Sequence, residues 1–452
     1  MDPGAPNFGP LSGDMAERDM NSPNQSGPWY RGMTGYHWWV LIVASLGWLF
    51  DTMDQRIFVL ARGPALVDLL PPGTPASQVT WYGGVATAVF MLGWATGGFV
   101  FGILGDRWGR AKTMLLTILI YSAFTGLSAL SVSWVDFTFY RFLTGLGVGG
   151  EFAAGVALVA EVMPARARAH ALGLLQALSA VGNILGSAIS FVVLPLGWRY
   201  LFMVGVFPSL LVAAVRRKLK EPEVWRKVRE AGGTQLRSQL GSVGELFRDP
   251  RWRRHTLVGL TLAISGVIGL WGIGFWSPEL IREALSDVSA ETRSWYVSMG
   301  TLLQDVGAFG GIFAFTLLTA RVGRRPAFVI AFLLGLGATI WTFGWLESPA
   351  QVLWMVPVLG FCNLMVFGGY SIYFPELYPT HLRSTGVGFC YNVGRIIAAV
   401  GPLTLGTLTV LFEEAGFASP FRSAAISLAG IYLVGVCVLP AAPETRGRPL
   451  PE

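Results

Sequence analysis

Residues 161–175, EVMPARARAHALGLL, return at 376–390 as ELYPTHLRSTGVGFC. The alignment sets Glu161 on Glu376, Pro164 on Pro379, Arg168 on Arg383 and Gly173 on Gly388. A second, unrelated motif repeats at almost the same distance, DRWGR at 106–110 matching ARVGR at 320–324. Two independent motifs that repeat at nearly the same offset make the chain a tandem duplication.

The repeated unit is not a soluble one. Of 452 residues, 53% are hydrophobic and 13% charged, against roughly 25% charged in an ordinary soluble domain. The mean hydropathy is +0.53. Runs of about 20 apolar residues, enough to cross a bilayer, number twelve between residues 36 and 440. The offset therefore spans six helices, an even number, and the two halves share one orientation. The sequence predicts an all-α membrane protein of twelve transmembrane helices in two parallel six-helix repeats. Parallel repeats of this kind build transporters, with the site near the bilayer midplane between them.

Charge sets the orientation. With both ends in the cytoplasm, 25 of the 33 basic residues fall in cytoplasmic tails and loops, and five lie outside: Arg62, Arg199, Arg282, Arg293 and Arg422. That bias is the positive-inside rule, and it explains the basic pI without a nucleic-acid partner. Residues 1–30, rich in Pro, Gly, Asn and Ser, read as a disordered cytoplasmic tail. The N-terminal bundle covers 31–215, the C-terminal bundle 255–442, and 443–452 form a second cytoplasmic tail. Between the bundles, 216–254 carries twelve basic residues and reads as a cytoplasmic linker.

GILGDRWGRAKTM (102–114) sets Gly105, Asp106, Arg107, Gly109 and Arg110 at the junction of spans 2 and 3. RFLTGLGVGGE (141–151) brings an arginine and close-packing glycines into span 4. PETRGR (443–448) and EPE (221–223) follow the two halves. Together these motifs resemble those of the major facilitator superfamily over about residues 36–448. The resemblance implies that DRWGR latches the halves together on the cytoplasmic face. Ala320 replaces the aspartate in the second copy, where a weaker latch is expected. D-x-x-D in span 1 with PELYPTHLRSTGVGFCYNVGR resembles the branch of aromatic-acid/proton symporters, niacin transporters and synaptic-vesicle relatives. Sugar porters carry a Gln-Gln pair in span 7, which is absent from AISGVIGLWGIGFWSP.

Charges inside spans mark function by default. In FDTMDQR (50–56), Asp51 and Asp54 share one helix face. At 1.5 Å per residue, Asp51 lies about 21 Å above the inner start of span 1 and Arg141 about 10 Å below the outer start of span 4. In a core of about 30 Å these depths nearly coincide, so Asp51 is expected to meet Arg141. Arg56 is available to neutralise Asp54. The pair is either a proton-coupling device, the role it has in the related symporters, or a static salt bridge. Glu151 ranks as a coupling accessory. Asp305 and Arg395 lie about 18 Å into spans 8 and 11, where they are candidates to pair with each other or to hold a ligand. Tyr391 and Asn392 share a helical turn with Arg395. Trp271, Phe275, Trp276, Tyr370 and Tyr373 are candidates for an aromatic pocket.

The favoured activity is proton-coupled symport of a small organic anion by alternating access. A transporter of an organic cation, amine or sugar stays open, as does a membrane sensor that has lost transport. No nucleophile–base arrangement or nucleotide loop suggests an enzyme. Cys362, Cys390 and Cys437 have no metal-ligand spacing, and no cofactor is expected. The expected partners are a small-molecule substrate, protons and the lipid bilayer of the cell membrane, with the chain acting as a monomer.

Overall fold

The computed structural model describes residues 28–74, 76–207, 219–231, 240–398 and 400–451. Most of the 1–30 tail, the end of span 6 and part of the linker lie outside the described residues.

The first half comprises α1 (Gly35–Leu69), α2 (Ala76–Trp108), α3 (Arg110–Ser128), α4 (Trp134–Val162), α5 (Ala165–Val193) and α6 (Trp198–Val204). The linker contributes α7 (Glu223–Ala231) and α8 (Val243–Arg248). Span 7 is α9 (Pro250–Val267), then a π turn at Ile268–Ile273, a 3-10 turn and α10 (Ser277–Ala284). After α11 (Ala290–Val322), α12 (Arg324–Trp345) and α13 (Pro349–Leu377), span 11 begins as α14 (Arg383–Gly388). It widens into a π turn at Phe389–Val393 and resumes as α15 (Gly394–Ala398) and α16 (Val400–Glu414). Span 12 is α17 (Pro420–Leu428) and α18 (Ile431–Val438).

Polar residues at helix starts punctuate an otherwise apolar chain. Ser133 caps α4 by accepting from Asp136 N, while the Asp136 carboxylate accepts from Ser133 N at 2.8 Å. Asp249 accepts from Arg251 N at 2.7 Å to start α9. Such caps satisfy amides that have no partner within the helix. Outward-facing Leu119, Phe191, Leu333 and Val434 are exposed, as suits helices surrounded by lipid.

Eight helices among the described residues are long and apolar enough to cross a membrane. The remaining spans depart from a plain apolar helix for visible reasons. Asp51, Asp54 and Arg56 interrupt α1, π turns interrupt spans 7 and 11, and span 6 runs out of the described residues.

The repeat read from sequence reappears as packing. In the first half, a Cβ at Gly93, Gly97 or Gly145 would collide with the carbonyl oxygens of Phe142, Leu146 and Phe90 respectively. In the second half, Gly307, Gly311 and Gly360 stand in the same relation to Pro357, Phe361 and Gln304. Span 2 thus lies against span 4 as span 8 lies against span 10, backbone to backbone, the close approach that small residues permit between membrane helices.

Both described chain ends and the linker lie on one face, here called the linker face. There the Tyr36 hydroxyl donates to Lys220 O at 3.0 Å, Trp29 stacks on His170, and Arg383 donates to Pro451 O at 2.9 Å.

Candidate functional site

On the linker face the two halves are fastened together. Asp106 accepts from Ser384 N (3.1 Å), Thr385 N (2.8 Å) and Thr385 Oγ1 (2.6 Å), all in the second half. Arg110 holds Asp106 at 3.0 Å and grips both oxygens of Glu161 at 3.0 Å. Glu161 in turn receives Arg383 across the interface at 2.6 Å. Gly105 makes room for Ser384, because a Cβ there would meet its hydroxyl. Gly109, at φ +121, turns the chain so that Glu221 caps α3 through Ala111 N and Lys112 N. Arg107 donates to Leu240 O at 3.0 Å, and the Trp225 indole donates to Asp106 O at 2.8 Å, so the linker is bound to the same cluster.

The second copy keeps this scaffold. Arg324 grips Glu376 through both oxygens, Gly323 takes φ +96, and Glu444 caps α12 at Arg324 N and Arg325 N. Ala320 supplies no carboxylate to reach across. Glu161, Glu221 and Thr385 were not singled out as site residues in the sequence. The repeat pairing of Glu161 with Glu376 was the signal for the first of them.

Deeper in the first half lie Asp51, Asp54, Arg141 and Glu151, each no more than 1% exposed. The expected pairing is corrected here. Arg141 faces Asp54, not Asp51, at 3.6 Å. Its guanidinium also donates twice to Ser128 Oγ and to Phe124 O, and it lies over the Phe202 ring. Asp54 accepts from Thr125 Oγ1 at 2.7 Å. The depth estimate was too coarse to separate two residues three apart, and hydrogen bonds from α3 decide between them. Asp51 consequently has no hydrogen-bond partner on either oxygen, and neither does Glu151.

Arg56 does not neutralise Asp54. It crosses to the second half and meets Asp305 at 2.5 Å. That contact removes one of the two alternatives for Asp305 and Arg395, their pairing with each other.

Arg395 is 7% exposed and lies over two rings, Trp94 of α2 at 3.7 Å and Tyr391 at 4.5 Å. Cation–π contact favours this sandwich, yet Nε and Nη1 have no hydrogen-bond partner. Tyr391 stacks on Phe152 of α4 at 4.2 Å. Asn392 donates to Gly388 O at 3.0 Å and fits against Gly98, leaving its Oδ1 unbonded. The π turn at Phe389–Val393 presents these side chains to the first half, and π turns are frequent at functional sites. Trp94 and Phe152 were missed because an isolated aromatic in an apolar run carries no local signal.

The aromatic candidates fare differently. Tyr370 is turned into the second half, donating to Leu262 O at 2.6 Å and stacking on Phe374. Tyr373 donates to Pro443 O at 2.7 Å. Trp276 packs on Phe421. The side chains of Trp271 and Phe275 lie outside the described residues.

A duplicated twelve-helix bundle, fastened at one face and carrying charge at its centre, defines a membrane transporter. The match to known proteins makes the class specific: residues 38–402 match the Major Facilitator Superfamily, and the chain belongs to it. It is 30% identical to a putative niacin/nicotinamide transporter of Bacillus subtilis, over 90% of this chain and 96% of that one. It is 30% identical to the cis,cis-muconate transport protein of Acinetobacter baylyi, over 84% of this chain and 89% of that one. The solved proton:xylose symporter XylE shares the fold at a TM-score of 0.76 and 18% identity, over 92% of this chain and 98% of that one.

Proposed function

We propose that this transporter moves a small organic anion, in symport with protons, by alternating access between its two halves. One observation carries the reading. Arg395 is buried at the interface between the halves with Nε and Nη1 unbonded, beside the Trp94 and Tyr391 rings. A guanidinium in this state lacks only a planar acceptor, and a carboxylate supplies one through two parallel hydrogen bonds. The flanking rings suit an apolar or aromatic body attached to that carboxylate. Muconate, named for one relative, is such an anion.

The coupling groups in this reading are Asp51, Asp54, Arg141 and Glu151. Tyr391 and Asn392 complete the anion site, while Arg56 and Asp305 join the halves beside it. The linker face is the cytoplasmic one in this reading, and it is held closed by the Asp106 and Glu161 contacts across the halves.

Replacing Arg395 by lysine tests the reading, because lysine keeps the charge and loses the fork. Losing a charge-assisted contact of about 1.5–3 kcal/mol weakens binding roughly 10- to 150-fold. The variant should reach the membrane and melt normally, yet lose stabilisation by benzoate, nicotinate and cis,cis-muconate. Full retention of carboxylate affinity, or a preference for cationic ligands in the native protein, would overturn it.

A further inference from the structure

The interior charges do not pair off evenly. Among the described residues of the central site, Asp54 is matched by Arg141 and Asp305 by Arg56. Two carboxyls, Asp51 and Glu151, and one guanidinium, Arg395, are left over. All three are more than nine-tenths buried. The four carboxyl oxygens and two of the guanidinium nitrogens have no hydrogen-bond partner.

The two carboxyls come together because Gly47 has no side chain. Gly47 lies one turn before Asp51 on α1, and a Cβ there would overlap Glu151 Oε1. The charged groups around Asp51 are Glu151, Asp54 and Arg395. The other polar neighbours are neutral. Tyr121 of α3 donates to Gly47 O at 3.4 Å, Gln55 stands one turn on from Asp51, and Gln176 of α5 and Tyr391 of the second half complete the surroundings.

Two carboxyls buried in one low-dielectric space resist ionising together, which favours a proton on one of them. The other then balances Arg395, and the empty site is neutral. An anion that takes Arg395 removes that balance, leaving a buried carboxylate without a counterion. Such a state is costly, and the group neutralises by taking up a proton.

We propose that Asp51 and Glu151 form one proton-holding pair, with one proton in the empty site and two when a carboxylate occupies Arg395. Each monocarboxylate then enters with one proton and carries no net charge across the membrane. The proton passes from water to a carboxylate oxygen, and no other bond is made or broken. This deepens the organic-anion reading and rests on it.

Either carboxyl alone still takes one proton when the anion arrives, so the two are redundant. Removing both leaves nothing to titrate. The experiment uses the purified full chain with benzoate and nicotinate as probes. Proton uptake is followed with an indicator dye, and carboxyl protonation by infrared difference spectroscopy. The native protein, Asp51→Asn and Glu151→Gln should each take up one proton per bound anion. The double variant should bind the anion with no proton uptake and no dependence on pH. Ligand-free native protein should show a protonated-carboxyl band that the double variant lacks.

In proteoliposomes, uptake should follow the pH gradient and ignore a potassium–valinomycin potential. Proton uptake surviving in the double variant, its loss in a single variant, a missing carboxyl band or potential-driven uptake would each overturn the pair. If carboxylates bind without proton uptake, the pair fails together with the proton coupling assigned to these groups, while the organic-anion reading stands. If no carboxylate binds, the organic-anion reading fails and takes the pair with it.

Discussion

Arg56 of α1 and Asp305 of α11 meet at 2.5 Å, each about midway along its helix, and join the two halves through one ion pair. Their side chains are 20% and 16% exposed, so water reaches the contact while much of its desolvation cost remains. A double-mutant cycle with Arg56→Gln and Asp305→Asn, read by thermal unfolding in detergent, should give a coupling of about 1–2 kcal/mol. Additive effects would mean that the contact contributes nothing between the halves.

The Asp106 contact should control opening of the linker face. Asp106→Asn keeps the shape but loses the charge that receives Ser384 N, Thr385 N and the Thr385 hydroxyl. A loss of about 1.5–3 kcal/mol shifts the open population by roughly 10- to 150-fold. Hydrogen exchange of the amides from 384 to 388 should accelerate accordingly. Unchanged protection there would count against Asp106 as the fastening residue.

Glu444 gives a pH dependence outside the membrane. Partial burial pushes its pKa up, but N–H bonds from Arg324, Arg446 and Arg325 outweigh this and hold it below the ordinary glutamate value. A depressed folded-state pKa stabilises above the unfolded value of 4.5, and that contribution disappears as pH falls through the folded value. The melting temperature of Glu444→Gln should therefore fall below that of the native chain at neutral pH. The two should converge below pH of about 4. A constant difference down to strong acid would show that the cap acts through shape and not charge.

The orientation proposed for the linker face rests on the 25-to-5 distribution of basic residues. Reporter fusions after Lys112, within 220–250 and at the C-terminal end should all report cytoplasm. A signal from the far side at any of the three would contradict the assignment of the linker face.

Composition, apolar run length and the repeated motifs were sufficient for the fold class, because a bilayer admits few solutions for a chain this apolar. The repeat also aligned Arg110 with Arg324 and Glu161 with Glu376, although it named neither the Arg110–Glu161 nor the Arg324–Glu376 contact. Sequence further marked Asp51, Asp54, Arg141, Glu151 and Arg395 as anomalous, since charge within a span needs a reason.

Which of these charges meet was decided only in three dimensions. A rise of 1.5 Å per residue gives depth but not azimuth. Thr125 and Ser128 on a third helix draw Asp54 and Arg141 together and leave Asp51 free. The π turn at Phe389–Val393 rotates Arg395 toward Trp94, a neighbour about 300 residues away that no local pattern predicts. Gly47 shows the same division. In the sequence it is one small residue in an apolar run. In the folded chain its missing side chain is the space that lets Glu151 lie against the helix of Asp51.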